Sequence, residues 1–226
     1  MSSDERWLAA VWPFVRGWLP AAPGAVVEIG CGPLCGFVPM LRSAGDDASG
    51  ADPEAPDGPW YHRAEFERFE PPGPAAAVVV ACASLHHVAD VGEVLGLARA
   101  ALAGGGTIVV VEWAWERFDD ATARWCFDRL PGPAAEHSWL RHRHDEWRAS
   151  GLPWESYCRD WAADEHLHAA EDIVAELDAR FDRQFLGDGP YFFADLADVS
   201  EADERAAIDA GVIQPNRVAY AGRRRS

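Results

Sequence analysis

The sequence contains no lysine, and all 20 of its basic residues are arginine. That absence excludes a Schiff-base lysine, a pyridoxal phosphate anchor and the lysine of a phosphate-binding P-loop. Positive charge is scarce altogether, because 37 acidic residues leave a formal net charge of -17. So acidic a chain repels phosphate backbones and anionic membrane surfaces, and neither is expected as a partner. The five cysteines, Cys31, Cys35, Cys82, Cys126 and Cys158, include no C-x-x-C pair. Neither a disulfide framework nor a thiolate zinc site is indicated, and a reducing cytoplasm fits. Long hydrophobic runs are missing too. The run at 75–83 has only strand length, and Asp4, Glu5 and Arg6 precede a Trp-rich stretch that Pro13 and Arg16 interrupt. No signal peptide or membrane span is expected.

What is there, 226 residues of which 49% are hydrophobic, suits one domain with a full core. Trp7, Leu8, Val11, Trp12, Val15, Trp18 and Leu19 recur at helical spacing, so residues 1–24 read as an N-terminal helix and its exit. Ala25–Ile29 reads as a buried strand, Gly30–Gly32 as a tight turn, and Pro33–Ala44 as a helix with proline in its first turn. Further strands are expected up to Ala51 and Asp52, near Tyr61–Ala64, over the doubly apolar Ala75–Ala83, and over Thr107–Glu112. Asp90 and Glu93 start a helix that stops at Gly104–Gly106. Strand and helix thus alternate from 25 to 112, with little helix between the second and third strands, which implies an α/β fold with a doubly wound, mostly parallel, Rossmann-like sheet. From 116 to 181 the pattern turns to helices rich in Trp, His and Arg, broken at Pro131-Gly132-Pro133 and Gly151-Leu152-Pro153. We read this as a helical lid inserted after the fifth strand, over the sheet's carboxyl edge. Residues 182–226 supply two final strands, 183–186 and 217–222, around a Ser200-capped helix ending at Gly211.

The informative segment is Val26-Val27-Glu28-Ile29-Gly30-Cys31-Gly32, continuing to Gly36. Glycines let the backbone turn sharply and approach a ligand, and the following helix offers free N–H groups to an anionic group. The spacing departs from the G-x-G-x-x-G dinucleotide fingerprint, and an acidic residue stands two places before the first glycine. Here the chain resembles the class I S-adenosylmethionine-dependent methyltransferases, in particular their small-molecule branch called type 11. The resemblance extends over residues 26–115 and makes 25–115 the cofactor-binding core. It implies S-adenosylmethionine as cofactor, with Glu28, Gly30, Cys31 and Gly32 in the first loop. Asp52, followed by Pro53, would accept from the ribose hydroxyls. Glu65 would accept from the adenine amine with Phe66 against the ring, Glu67 being the alternative register. Ala81-Cys82-Ala83-Ser84-Leu85-His86-His87 resembles the segment that passes the cofactor's methionine end and closes on a histidine. Leu34 stands where the family often has glycine. A lone glycine turn is as often structural as functional; four features in the expected order decide for the cofactor.

Methyl transfer to a small organic acceptor mainly requires that the acceptor be held against the methyl carbon, with a proton removed when it is a hydroxyl; His86 is the first candidate base and Glu112 the second. Trp113 and Trp115 follow the fifth strand and are candidates for an apolar substrate pocket, flanked by Glu112 and Glu116, which could take a proton or hold an amine. His87 reads as a packed structural residue, and His142, His144, His166 and His168 as surface residues without a metal. The Asn/Asp-Pro-Pro-aromatic motif of nucleic-acid amino methyltransferases is missing, since the one asparagine is Asn216. The reading is therefore methyl transfer to a small molecule, with specialised metabolism as a setting. A nicotinamide-dependent oxidoreductase and an inactive cofactor-binding partner subunit are the alternatives. Acceptor identity and oligomeric state stay open at this point.

Overall fold

Short apolar runs buried on both faces build the central strands of the sheet, and polar caps set several of the helices around it. The computed structural model describes residues 2–70, 73, 75–132 and 139–225. In chain order the elements are α1 (Ser3–Gly17), β1 (Ala25–Ile29), α2 (Val38–Ser43), β2 (Asp47–Ala51), β3 (Tyr61–His62), β4 (Ala76–Cys82), α3 (Val91–Ala101) and β5 (Leu102–Trp113). There follow α4 (Asp120–Phe127), α5 (Trp139–Ser150), α6 (Trp154–Asp164), α7 (Ala170–Arg180), β6 (Phe181–Gly189), α8 (Glu201–Asp209) and β7 (Arg217–Arg224). The seven strands form one sheet in the order β3-β2-β1-β4-β5-β7-β6. The first five run parallel, and β7 lies antiparallel between β5 and β6. The expected mostly parallel, doubly wound sheet is present.

Successive residues of β4 face opposite layers, as the strand period requires. Val79 and Ala81 pack with α3 and α7, whereas Val78, Val80 and Cys82 pack with Val11 and Val15 of α1 and with Val38 and Leu41 of α2. A separate aromatic core stands above the carboxyl edge, where Trp113 at the end of β5 meets Leu140, Trp154 and Cys158 of the helical segment together with Phe192 and Phe193. Asp90 caps α3 by accepting from the Glu93 N–H at 2.9 Å, and Ser200 caps α8 with a reciprocal Asp203 bond. The helices expected between 116 and 181 occur as α4 to α7; of the first break, Pro133 lies outside the described residues. Among the described residues no helix is long and apolar enough to cross a membrane.

Two expectations fail, the lesser being the stop at Gly104–Gly106: α3 ends at Ala101, and β5 starts at Leu102 and takes in those glycines. The helix after the glycine turn begins at Val38, not Pro33, and spans only six residues. Cys35 and Gly36 take positive φ, 77° and 53°, which no helix accommodates. The N–H groups of Phe37 and Val38, at its start, are already bound to the buried Glu28 carboxylate at 2.8 and 3.1 Å. They are not free for an anionic ligand, contrary to the reading from sequence.

Candidate active site

Two cavities open where β1, β2 and β4 end, and they share Gly30, Gly32 and Ala83. The first, about 310 Å³, lies between Asp52 and Pro53 on one side and Glu65, Phe66 and Glu67 on the other. The second, about 320 Å³, lies between the glycine loop and α1, walled by Trp7, Leu8, Trp139 and Tyr191 with Asp4 and Asp195 among them.

The seam between them is fixed by backbone bonds. Gly30 donates to the Ala51 carbonyl at 2.8 Å, and Gly32 donates to Asp52 Oδ2 at 3.0 Å. Asp52 Oδ1 accepts from Glu54 N–H at 2.7 Å, so the carboxylate is oriented while each oxygen keeps further acceptor capacity. Ser84 Oγ donates to the Ile29 carbonyl at 2.9 Å and presses its side chain against Gly30. A Cβ on Gly30, whose φ is +75°, would overlap Ser84 and stand 2.8 Å from that Oγ. Gly32 is different: at φ +60° a Cβ there would meet nothing within 4 Å, because the space above it is the cavity.

Glu28 sits beneath the loop, 1% exposed. Burial pushes its carboxyl up to about 8, against the opposing bonds from the Phe37 and Val38 amides, with Asp52 adding to the rise. Gly36 closes over it so tightly that a Cβ would collide with the carboxylate. Glu28 borders the second cavity but spends its oxygens holding the loop to α2.

The residues expected at the cofactor are thus brought together, Ala81 excepted. Ala81 is wholly buried in β4 between Ile29 and Val110, and the cavity wall is formed one and two residues later by Cys82 and by Ala83 at φ 48°. The expected bases are also displaced. His86 is 4% exposed, borders neither cavity, and sets Nδ1 2.6 Å from Glu112 Oε2. Glu112 Oε1 accepts from the Ser84 and Leu85 amides at 2.9 and 2.7 Å, so this carboxylate braces the segment after β4. His87, expected to be packed, is exposed at the rim of the first cavity, where partial burial and His86 lower its pKa. His168, expected at the surface, is stitched inward, its amide donating to the His86 carbonyl and its Nε2 lying 2.8 Å from the Val88 carbonyl. Among the described residues no His, Cys, Asp and Glu cluster could hold a metal.

Trp113 and Trp115 are not pocket walls. Trp113 stands one layer behind, stacked on Tyr191 at 5.8 Å and edge-on to Trp139 at 5.3 Å, and Trp115 Nε1 donates to the His168 carbonyl. Glu116 Oε2 accepts from the Ala170 amide, away from both cavities. The walls come instead from residues far apart in sequence. Tyr191 is set by Glu204, whose buried carboxylate accepts from the amides of Tyr191, Phe192 and Phe193. Trp7 is set by its neighbour Arg6, which donates to the carbonyls of Phe193, Ala194, Leu196 and Val199. The periodicity of α1 reveals a helix but not what it covers, and nothing local marks Asp195.

The sequence model described as a methyltransferase domain matches residues 5–155, about two thirds of the chain. The chain belongs to the methyltransferase-domain family. The resemblance to class I S-adenosylmethionine-dependent methyltransferases therefore holds. Solved structures with the same fold include an S-adenosylmethionine-dependent methyltransferase from Mesorhizobium loti, with TM-score 0.58 and 21% identity over 95% of this chain and 98% of that one. The N-methyltransferase NodS from Bradyrhizobium japonicum, in complex with S-adenosylhomocysteine, has TM-score 0.53 and 14% identity over 99% and 97%. Geranyl diphosphate C-methyltransferase from Streptomyces coelicolor, bound to Mg2+, geranyl diphosphate and S-adenosylhomocysteine, has TM-score 0.54 and 15% identity over 96% and 77%. No curated protein matches the chain by sequence. In this methyltransferase both cavities lie at the carboxyl ends of parallel strands, where doubly wound sheets bind ligands.

Proposed function

We propose that the protein transfers a methyl group from S-adenosylmethionine to a small organic acceptor. The observation that carries this reading is the pair of cavities meeting at Gly30, Gly32 and Ala83. One has the residues for a nucleoside and the other has room beside it. Asp52 accepts from the ribose hydroxyls with the lone pairs its loop bonds leave over, Phe66 lies against the adenine, and Glu65 or Glu67 accepts from its amine. The open face over Gly32 admits the methionine portion. When bound, the cofactor supplies an electrophilic methyl on a sulfonium. The chain's own task is then to hold the acceptor in line and exclude water, which α1, Trp139 and Tyr191 do from three sides. An open cavity beside the cofactor position favours a working enzyme over an inactive subunit.

Titration calorimetry with S-adenosylhomocysteine and with NAD tests the reading. Binding of the first and not the second is expected, and binding of NAD alone overturns it. Asp52→Ala should weaken the S-adenosylhomocysteine complex at least roughly tenfold, since a charge-assisted bond of about 1.5–3 kcal/mol is lost. An unchanged dissociation constant in folded protein would remove Asp52 from the site.

A further inference from the structure

The second cavity has a charge pattern that narrows its occupant. Among its described lining residues there is no arginine or histidine; the carboxyl groups are those of Asp4, Glu28 and Asp195, and the other ionisable oxygen is the Tyr191 phenol, which burial pushes further up. Glu28 is spent on the loop beneath. Asp195 is held rigidly at the wall, accepting from Ser3 Oγ at 2.5 Å and from Trp139 Nε1 at 3.1 Å, and keeps acceptor capacity on both oxygens. Trp7, Trp139 and Tyr191 surround it with aromatic surface. The Arg6 guanidinium, whose charge reaches Asp195, is engaged by four backbone carbonyls.

Around Asp195 such a lining disfavours an anionic acceptor and offers a cation both a counter-charge and ring faces. We infer that the acceptor is a small amine, cationic in solution and carrying an apolar body, and that Asp195 is the residue that selects it. The inference rests on the methyltransferase reading of the site. Burial raises the Asp195 carboxyl, Asp4 adding to the rise while Ser3, Trp139 and Arg6 oppose it, so a bound cation relieves an existing electrostatic cost. The ammonium passes one proton to the Asp195 carboxylate. The freed nitrogen lone pair then forms the bond to the methyl carbon as the carbon–sulfur bond breaks, its electron pair remaining on sulfur. The products are the methylated ammonium, net-neutral S-adenosylhomocysteine and the proton on Asp195, which passes to solvent when the products leave.

The test uses the whole chain saturated with S-adenosylhomocysteine and three probes of one shape, phenethylamine, 2-phenylethanol and 3-phenylpropionate, with geranyl diphosphate plus Mg2+ as a fourth. The amine is expected to bind at least roughly tenfold more tightly than the alcohol, and the two anions not to bind. Asp195→Asn, which keeps the side-chain shape, should reduce the amine's advantage over the alcohol by a similar factor, with S-adenosylhomocysteine affinity retained. An amine no tighter than the alcohol, or binding of either anion, overturns the inference from the wild-type protein alone, even should the variant fold poorly. Loss of S-adenosylhomocysteine affinity in Asp195→Asn, with the amine preference intact, would assign Asp195 to the cofactor and overturn it too. Failure of S-adenosylhomocysteine to bind the wild-type protein is a separate result, which removes the parent reading first.

Discussion

A carboxylate that accepts from two backbone amides and faces an imidazole at 2.6 Å has little left to offer a substrate, and Glu112 is in that position. Its removal leaves the Ser84 and Leu85 amides without their acceptor. Glu112→Ala should therefore cost about 2–4 kcal/mol of stability, measured by denaturant unfolding. Cofactor affinity should fall with it, since Ser84 supports Gly30 from below. A loss of turnover at unchanged stability, with one limb of the pH–rate profile gone, would instead restore His86 and Glu112 to acid–base work. From sequence the two residues carried the right chemistry and stood after the right strands. Their mutual pairing was not legible there, because it depends on the register that sets Val111 beside Cys82 and so brings the two strand ends together.

At the scale of elements, strands and capped helices were readable because their signals are local. The β-branched runs gave β1, β4 and β5, and Asp90 and Ser200 marked α3 and α8. The start of α2 was not readable, since it depends on a carboxylate from the neighbouring strand. The cavity proposed for the nucleoside was largely legible, its residues lying in contiguous motifs after successive strands. The cavity proposed for the acceptor was not, because α1, Trp139 and the turn at Tyr191 converge only in three dimensions. This changes what should move. The segment 116–181 buries Leu140, Trp154 and Cys158, and among its described residues only Trp139 borders the cavity. Amide exchange in α4 and α6 should thus be as slow as in the strands without ligand, and α1 should slow when S-adenosylhomocysteine binds. Arg6→Ala, which removes the tether to residues 193–199, should speed exchange in α1 several-fold. Fast exchange across α4 to α7 that slows with ligand would reinstate them as the moving cover.

For the molecule as a whole, burial of carboxyls sets the pH response. Glu28 is raised from 4.5 to about 8, so between those values the folded state keeps a proton that the unfolded chain has lost. Stability from this group is complete at low pH and drains away as pH rises through that window. Asp195 and Glu204 are raised as well and act in the same sense. Unfolding midpoints should fall from pH 5 to pH 8, and Glu28→Gln should flatten the decline; an equally steep decline in that variant would assign the slope to other groups. A last consequence belongs to the seam. Gly30, Gly32 and Ala83 line both cavities, a wall in common. Whatever fills the first completes the surface on which the second partner rests. On the proposed assignment of the cavities, an ordered sequential scheme is expected in steady state, in which the methyl donor enters first and its demethylated product leaves last. S-adenosylhomocysteine should then inhibit competitively against the donor at every acceptor concentration and noncompetitively against the acceptor, whereas a random order would show the two compartments filling independently.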